Sequence, residues 1–305
     1  MKDDSLRLTV FEIGGGKVDW PAGIDSPAEP AASPVAGAGS PLGGEGTAPP
    51  ARALEPAGTA KTGTTELFQR ALLTLPPVKS YADAQLDDTQ ALRRHTLRWR
   101  PPLRFSVRAR TSIPAPLGTF GFGFWNDPFS LFLGMGGGAR KLPSAPQCAW
   151  FFYGSPPLDL PLADGVPGWG WKAATLRFRN IPAPVLAPIA VGGVVLVSLP
   201  PLRRWALAQA RRVYRAEERL LPIDPSQWHT YTIEWHLPSV GFFVDGVEVL
   251  RSFHPPLPPL GLVLWIDNQY AVASAEKGFG FGVLALEREQ TLELEAARIE
   301  RGIPA

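Results

Sequence analysis

Cysteine is nearly absent from this 305-residue chain, which holds one, Cys148. A single thiol excludes a framework of internal disulfides and a multi-thiolate zinc site. Histidine is scarce too: His95, His229, His236 and His254 are dispersed, and no pair has the spacing of convergent metal ligands. Charge of one sign is missing, with 30 basic against 28 acidic side chains and a net charge of +2. That balance gives no support for a dedicated nucleic-acid binder. Methionine and lysine are few while proline and glycine are many, which argues against a helical bundle. The chain also lacks a long unbroken apolar run. Asn180 to Leu202 carries no charge, but Pro182, Pro184, Pro188, Pro200 and Pro201 leave only Ile189–Leu199 free of proline, short of the ~20 residues a membrane span needs. Met1 to Leu8 holds Asp3 and Asp4 and no apolar stretch. No secretory signal is read there, and a cytoplasmic location is expected by default.

What is present points to turns and a core. The chain has 34 Pro, 31 Gly and 10 Trp, and 45% of it is hydrophobic. Such a chain buries a sizeable core and is not disordered as a whole. Residues 1–20 form a short N-terminal segment in which Leu6–Ile13 alternates like a peripheral strand. In residues 21–65, 35 of 45 positions are Ala, Pro, Gly, Ser or Thr and none is aromatic, so the segment is expected to be a disordered linker. Residues 66–305 are the folded body.

Within that body short strands recur at turn-rich spacing. Leu103–Ala109 alternates basic and apolar residues, as a strand with one wet face does. Phe120–Trp125 and Ser130–Leu133 flank a turn at Asn126-Asp-Pro128, and Cys148–Tyr153 reads as a buried strand. Lys172–Arg179, Tyr231–Trp235, Leu260–Ile266 and Leu292–Ile299 follow, and Val240–Val249 folds back at Asp245-Gly246, a two-residue hairpin turn. The series predicts an all-β sandwich of nine or ten strands. A helical insertion over about 182–221 interrupts it. Its second half, Leu202–Leu221, is read as a helix mixing Trp205 and Val213 with Arg204, Arg211, Arg212, Arg215 and Arg219. It is expected to pack on the sandwich, the other reading being a contact with a partner or a membrane surface.

The stretch Trp228-His-Thr-Tyr-Thr-Ile-Glu-Trp-His-Leu-Pro-Ser-Val-Gly-Phe-Phe-Val-Asp-Gly246 resembles a signature of the concanavalin A-like lectin/glucanase superfamily. It is most similar to the family 16 glycoside hydrolases, the laminarinase-like enzymes. Leu292–Glu300 is similar to the family's closing strand. The resemblance implies a two-sheet jelly roll whose concave sheet holds a polysaccharide. It also implies a catalytic strand reading Glu-x-Asp-x-Glu or Glu-x-Asp-x-x-Glu, whose alternate residues project two carboxylates into the cleft. That pattern is absent. Between Thr89 and Ala216 there is no Glu, and the only acids are Asp127, Asp159 and Asp164. The expected strand reads Ala149-Trp-Phe-Phe-Tyr153 instead, so the reading moves from enzyme towards binding module.

Candidate sugar-binding residues follow from aromatic platforms flanked by polar groups. Trp125, Asn126 and Asp127 form one cluster, Trp265, Asp267, Asn268 and Gln269 a second, and Trp150 with Phe152 shares one face of the central strand. Were the protein a hydrolase with non-standard carboxylates, Asp127 and Asp267 are the candidate pair. Glu234, Glu293 and Glu295 read as ion-pairing residues on wet strand faces. No cofactor is expected. A rim calcium would need Asp245, Asp267 and Asn268 to converge, and nothing in the sequence brings them together. Gly134–Gly138, followed by Arg140 and Lys141, lacks the ending of a phosphate-binding loop and reads as a hairpin tip.

Overall fold

A computed structural model describes residues 8–19, 63–89, 92–128, 144–179, 181 and 183–304. The expected linker, except its last residues, and the expected Ser130–Leu133 strand and Gly134–Lys141 tip lie outside these. The strands in chain order are β1 (Thr9–Ile13), β2 (Lys17–Asp19), β3 (Gly63–Leu75), β4 (Asp83–Asp87), β5 (Leu103–Thr111) and β6 (Thr119–Trp125). Next come β7 (Gln147–Gly154), β8 (Gly170–Phe178), helices α1 (Ala183–Ser198) and α2 (Pro200–Ala210), and β9 (Tyr214–Leu220). The chain continues through β10 (His229–Trp235), β11 (Val240–Val244), β12 (Val247–Ser252), β13 (Gly261–Asp267), β14 (Gln269–Ser274), β15 (Gly278–Val283) and β16 (Gln290–Arg301). Sheet A has the order β1-β4-β13-β6-β7-β8-β9 and sheet B the order β12-β11-β10-β5-β16-β3-β2, with β14–β15 a separate hairpin. All the ladders within the two sheets are antiparallel. The architecture is an all-β, two-sheet jelly-roll sandwich with a helical hairpin inserted between β8 and β9.

Period two builds the core between the sheets. β6 sends Phe120, Phe122 and Phe124 inward, β7 sends Phe151, and β8 sends Trp171. Sheet B answers with Phe105, Tyr231, Trp235 and Phe242, and the rings pack edge to face and tilted, as between Phe105 and Phe124 at 5.8 Å. The outward residues of sheet B pair by charge. Arg104 contacts Glu234 and Glu300, Arg108 contacts Glu295, and Arg110 contacts Glu293. Trp228 lies against the guanidinium groups of Arg108 and Arg110, at 4.3 and 4.8 Å from its ring centre. The hairpin at Asp245-Gly246 has both residues at positive φ, 50° and 80°, as a two-residue turn between right-twisted strands requires.

The structure departs from the sequence expectation at several elements. The helix expected over Leu202–Leu221 ends at Ala210, and Tyr214–Leu220 is β9, the edge strand paired with β8. Its mixed charges suit an edge strand as well as a helix face, because only one side of it is covered. The N-terminal strand joins the main body: β1 pairs with β4 at the edge of sheet A, and β2 pairs with β3 at the edge of sheet B. In β16 strict alternation fails at Ala296, whose φ of 50° marks a bulge that turns Ala297 and Ile299 inward. The helices leave Val194, Val195, Leu199, Leu202 and Trp205 exposed. No helix among the described residues is long and apolar enough to cross a membrane.

Candidate binding face on sheet A

β6 reads Thr-Phe-Gly-Phe-Gly-Phe-Trp, so its outward positions are glycines 121 and 123. A methyl group at Gly121 would sit 2.7 Å from Cη2 of Trp265, and one at Gly123 would sit 2.6 Å from Cα of Trp150. The missing side chains form a trough on the outer face of sheet A, and aromatic rings from both neighbouring strands occupy it. Trp150 stacks on Phe152 of the same strand, with centroids 5.6 Å apart and planes inclined by 25°. Trp265 of β13 reaches both, at 5.6 and 6.1 Å, and Trp125 closes on Trp150 at 6.2 Å. The indole N–H of Trp265 donates to Thr119 Oγ1, which fixes the ring. Trp125, Trp150 and Phe152 are half-buried, and Trp265 is buried. Four of the sequence-predicted residues are therefore brought together as one aromatic cluster.

On β7 the outward positions are Cys148, Trp150 and Phe152, since Phe151 and Tyr153 belong to the core. Cys148 is buried, and burial pushes its thiol far above the ordinary range, which leaves it without nucleophilic character. This strand offers rings and no carboxylate.

The carboxylates of the face lie elsewhere. β4 reads Asp-Ala-Gln-Leu-Asp, and its i, i+2, i+4 side chains Asp83, Gln85 and Asp87 share the outer face with Asp267 of β13, which is directly opposite Asp83. Sequence reasoning missed Asp83 and Asp87, although their alternation with Ala84 and Leu86 is the period of a one-sided strand. All three acids are buried. Asp267 accepts from Thr119 Oγ1 at 2.8 Å and from Gln269 Nε2 at 2.7 Å, and burial raises its pKa to about 6. Asp83 is raised well above the usual carboxylate range, first by burial and then by the charges of Asp267 and Asp87. Asp87 accepts from Gln85 and from the backbone and hydroxyl of Thr89.

Further along the same face, Lys172 of β8 and Glu218 of β9 form a sealed ion pair at 3.0 Å. Glu218 also accepts the backbone N–H groups of Leu162 and Ala163, which ties the loop before β8 down onto the sheet.

The remaining sequence candidates do other work. Asn126 accepts from Gln147 N and donates to Ala145 O and Ser144 Oγ, holding a turn. Asn268 is fully buried, accepts from Ala82 N and donates to Ser80 O and Leu284 O, so its amide is occupied by backbone. Gln269 is committed to Asp267. The pair Asp127 and Asp267 is not brought together: Asp127 lies beyond Trp125 at one end of β6, whereas Asp267 is opposite Thr119 at the other. A strand of that length spans roughly 20 Å, too far for two carboxyls to flank one glycosidic bond. Asp245 belongs to the β11–β12 turn of sheet B, where it meets His229, so it does not converge with Asp267 and Asn268.

No family model matches the sequence, and no curated protein matches it. Among solved structures the chain is similar to a kappa-carrageenase from Zobellia galactanivorans, at 12% identity over 76% of this chain and 78% of that one, with a TM-score of 0.42. It is similar to an immunostimulatory antigen and pseudo beta-1,3-glucanase of Mycobacterium tuberculosis, at 12% identity over 77% and 75%, with a TM-score of 0.40. A kappa-carrageenase from Pseudoalteromonas carrageenovora, in complex with an oligotetrasaccharide, gives 10% identity over 76% and 80% and a TM-score of 0.42.

Proposed function

We propose that the protein is a diverged, non-catalytic sandwich that binds carbohydrate on the outer face of sheet A. The observation that carries this reading is the cluster of Trp125, Trp150, Phe152 and Trp265 on that face, with Cys148, Trp150 and Phe152 at the outward positions of β7. Sugar rings present apolar C–H faces that pack on aromatic planes, and Trp150 and Phe152 retain exposed ring surface for that contact. A ring cannot protonate a leaving oxygen or attack an anomeric carbon, so the part these four side chains can play is binding. The test is a panel of β-glucans and galactans assayed in parallel for binding and for reducing-sugar release, with Trp150→Ala and Phe152→Ala as variants. Binding by the parent chain that both variants weaken, with no release, supports the reading. No binding across the panel, or binding untouched by both variants, sinks it.

A second reading, a glycoside hydrolase with non-standard carboxylates, is favoured by one observation: Asp83 and Asp267 are direct cross-strand partners. That register places their Cβ atoms about 5 Å apart, within reach of the roughly 5 Å carboxyl separation that a retaining mechanism uses. Against it stand the burial of both groups and the occupation of both Asp267 oxygens by Thr119 and Gln269. Sugar release abolished by Asp83→Asn and by Asp267→Asn would replace the first reading with this one.

A further inference from the structure

Helix α1 is apolar on every side. Its 16 residues, Ala183–Ser198, carry no charge, and its one polar side chain, Ser198, turns its hydroxyl onto the carbonyl of Val194 at 2.8 Å. A helix of that composition is ordinarily buried all round. This one is not: Val185, Pro188 and Val195, with Leu199 directly after the helix, are exposed. Their spacing sets them along one side of α1, since residues about three, seven, ten and fourteen positions apart share a helix face. Helix α2 adds Leu202 and, one turn on, Trp205, which is 56% exposed although tryptophan is ordinarily well buried. Beside α1, strand β15 exposes Phe279, Phe281 and Val283 at alternate positions.

The helical hairpin is held in place despite this exposure. Arg203 donates from Nε to the carbonyl of Val197 at 2.9 Å and from Nη1 to that of Glu276 at 3.1 Å, which ties α2 to the end of α1 and to the β14–β15 turn. Val197 and Ala206 are buried, and β8 pairs with β9 where the hairpin leaves and rejoins sheet A.

Charge limits what covers this surface. From Asn180 to Ala216 there are five arginines and no acidic residue. Arg204, next to Trp205, and Arg212 and Arg215, beyond α2, are exposed, and among the described residues none of the three forms an ion pair. A second copy docked by two-fold symmetry would set these cations against themselves. Residues 129–143, with Arg140, Lys141 and no acid, repeat the charge rather than oppose it. Residues 21–62 hold no aromatic side chain and only Ile24, Val35, Leu42 and Leu54 as large aliphatic ones, too little to cover the stripe. An anionic lipid surface matches both features at once, acyl chains taking the apolar side chains and headgroups the guanidinium groups. At about 24 Å, α1 is shorter than the ~30 Å hydrocarbon core, so it suits lying in the interface and not crossing it.

We propose that the α1–α2 hairpin docks the protein on the surface of an anionic membrane. The stripe from Val185 to Leu199 and the ring of Trp205 enter the boundary between headgroups and acyl chains, and Arg204, Arg212 and Arg215 meet lipid phosphates. The proposal stands apart from the sugar-binding reading, because it uses none of the aromatic cluster on sheet A.

The experiment is co-sedimentation of the full chain with vesicles of phosphatidylcholine alone and of phosphatidylcholine containing about 30% phosphatidylglycerol. The parent should bind the anionic vesicles about tenfold or more tightly than the neutral ones, and should lose that preference as salt is raised. Val195→Gln with Leu199→Gln, and separately Trp205→Ala, should weaken binding about tenfold or more. Arg204→Gln with Arg212→Gln should weaken binding to the anionic vesicles by a similar factor and leave the neutral ones unchanged. Leu237→Gln and Arg298→Gln, at exposed positions away from the hairpin, serve as controls and should bind as the parent does. All the replaced side chains are exposed, so melting temperatures should match the parent's; a variant that melts lower is set aside and the others decide. No sedimentation with anionic vesicles, or equal binding by the parent and the hairpin variants, overturns the proposal. So does a stable dimer formed without lipid and split by Val195→Gln with Leu199→Gln, which would make a second copy the occupant of this face.

Discussion

Asp83 and Asp267 face each other across the β4–β13 ladder, both nearly sealed from solvent. Proteins ordinarily avoid like charges at directly opposed positions, and the cost grows as water is removed. Here the partners of Asp267 are donors, Thr119 Oγ1 and the backbone and amide N–H groups of Gln269, which favour its charged form without cancelling the burial. The outcome is a carboxyl with a pKa of about 6 beside one also raised well above the ordinary range.

The pH dependence of stability follows from that pair. Between about pH 4 and pH 6 the folded chain holds a proton at Asp267 that the unfolded chain has released. The contribution of this site therefore falls as pH rises through that window and is level above it, a change on the order of 3 kcal/mol. Asp83 acts in the same direction. Denaturant midpoints of the parent and of Asp267→Asn, measured from about pH 4 to pH 7, should show the variant gaining on the parent as pH rises. A difference that stays constant with pH would show that the carboxyl does not titrate in this window.

The Lys172–Glu218 pair should be costly to break from the acidic side. Glu218→Ala leaves a buried ammonium without its counter-charge and two backbone N–H groups, of Leu162 and Ala163, without their acceptor. The expected loss is about 3–5 kcal/mol of unfolding free energy, with faster proteolysis near Leu162. Replacing both partners together by apolar residues, as in Lys172→Met with Glu218→Leu, should cost less than Glu218→Ala alone. Equal losses would mean that the charge carries none of the effect.

The core strands β5 and β10 are legible because one-sided burial imposes period two, whereas β13 is legible as a short continuous apolar run, buried at every position. The resembling segment Trp228–Gly246 lies in sheet B, so it speaks for the sandwich and says little about the face of sheet A. The aromatic cluster was readable as separate pieces; only the β6 glycines, which make the trough, show why the rings meet. The opposition of Asp83 to Asp267 is a long-range register that no local sequence pattern contains. Tyr214–Leu220 has no clear period of either kind, so its sequence reads as a continuation of the helix, and its pairing with β8 decides that it is a strand. The amides of Asn126 and Asn268 looked ligand-directed in sequence, yet each satisfies backbone groups that would otherwise be buried without partners.

At the β11–β12 turn the demand is conformational. Gly246 sits at φ +80° with open space where a Cβ would be, so a substitution there meets no clash. Gly246→Ala should cost about 1 kcal/mol from the left-handed backbone alone, and Gly246→Val more, because a β-branched residue tolerates that region worse. Thermal unfolding of the two variants would check the order, and an unchanged midpoint in both would contradict it.

At the trough the demand is steric, and it ties the fold to the binding face. A methyl at Gly121 would meet the carbonyl oxygen of Phe151 at 2.3 Å and the Trp265 ring at 2.7 Å, whereas at Gly280 in β15 it would meet nothing within 4 Å. Gly121→Ala must therefore displace Trp265 or open the β6–β7 ladder, at about 1–3 kcal/mol, while Gly280→Ala should leave stability within about 0.5 kcal/mol of the parent. Because Trp265 touches both Trp150 and Phe152, its displacement should also alter the near-ultraviolet circular dichroism of the cluster and weaken glycan binding. The relation between those readouts is the useful part. If Gly121→Ala lowers stability yet leaves both the aromatic spectrum and glycan affinity unchanged, then the rings do not form one rigid platform, and the glycines of β6 serve only the packing of the sheet.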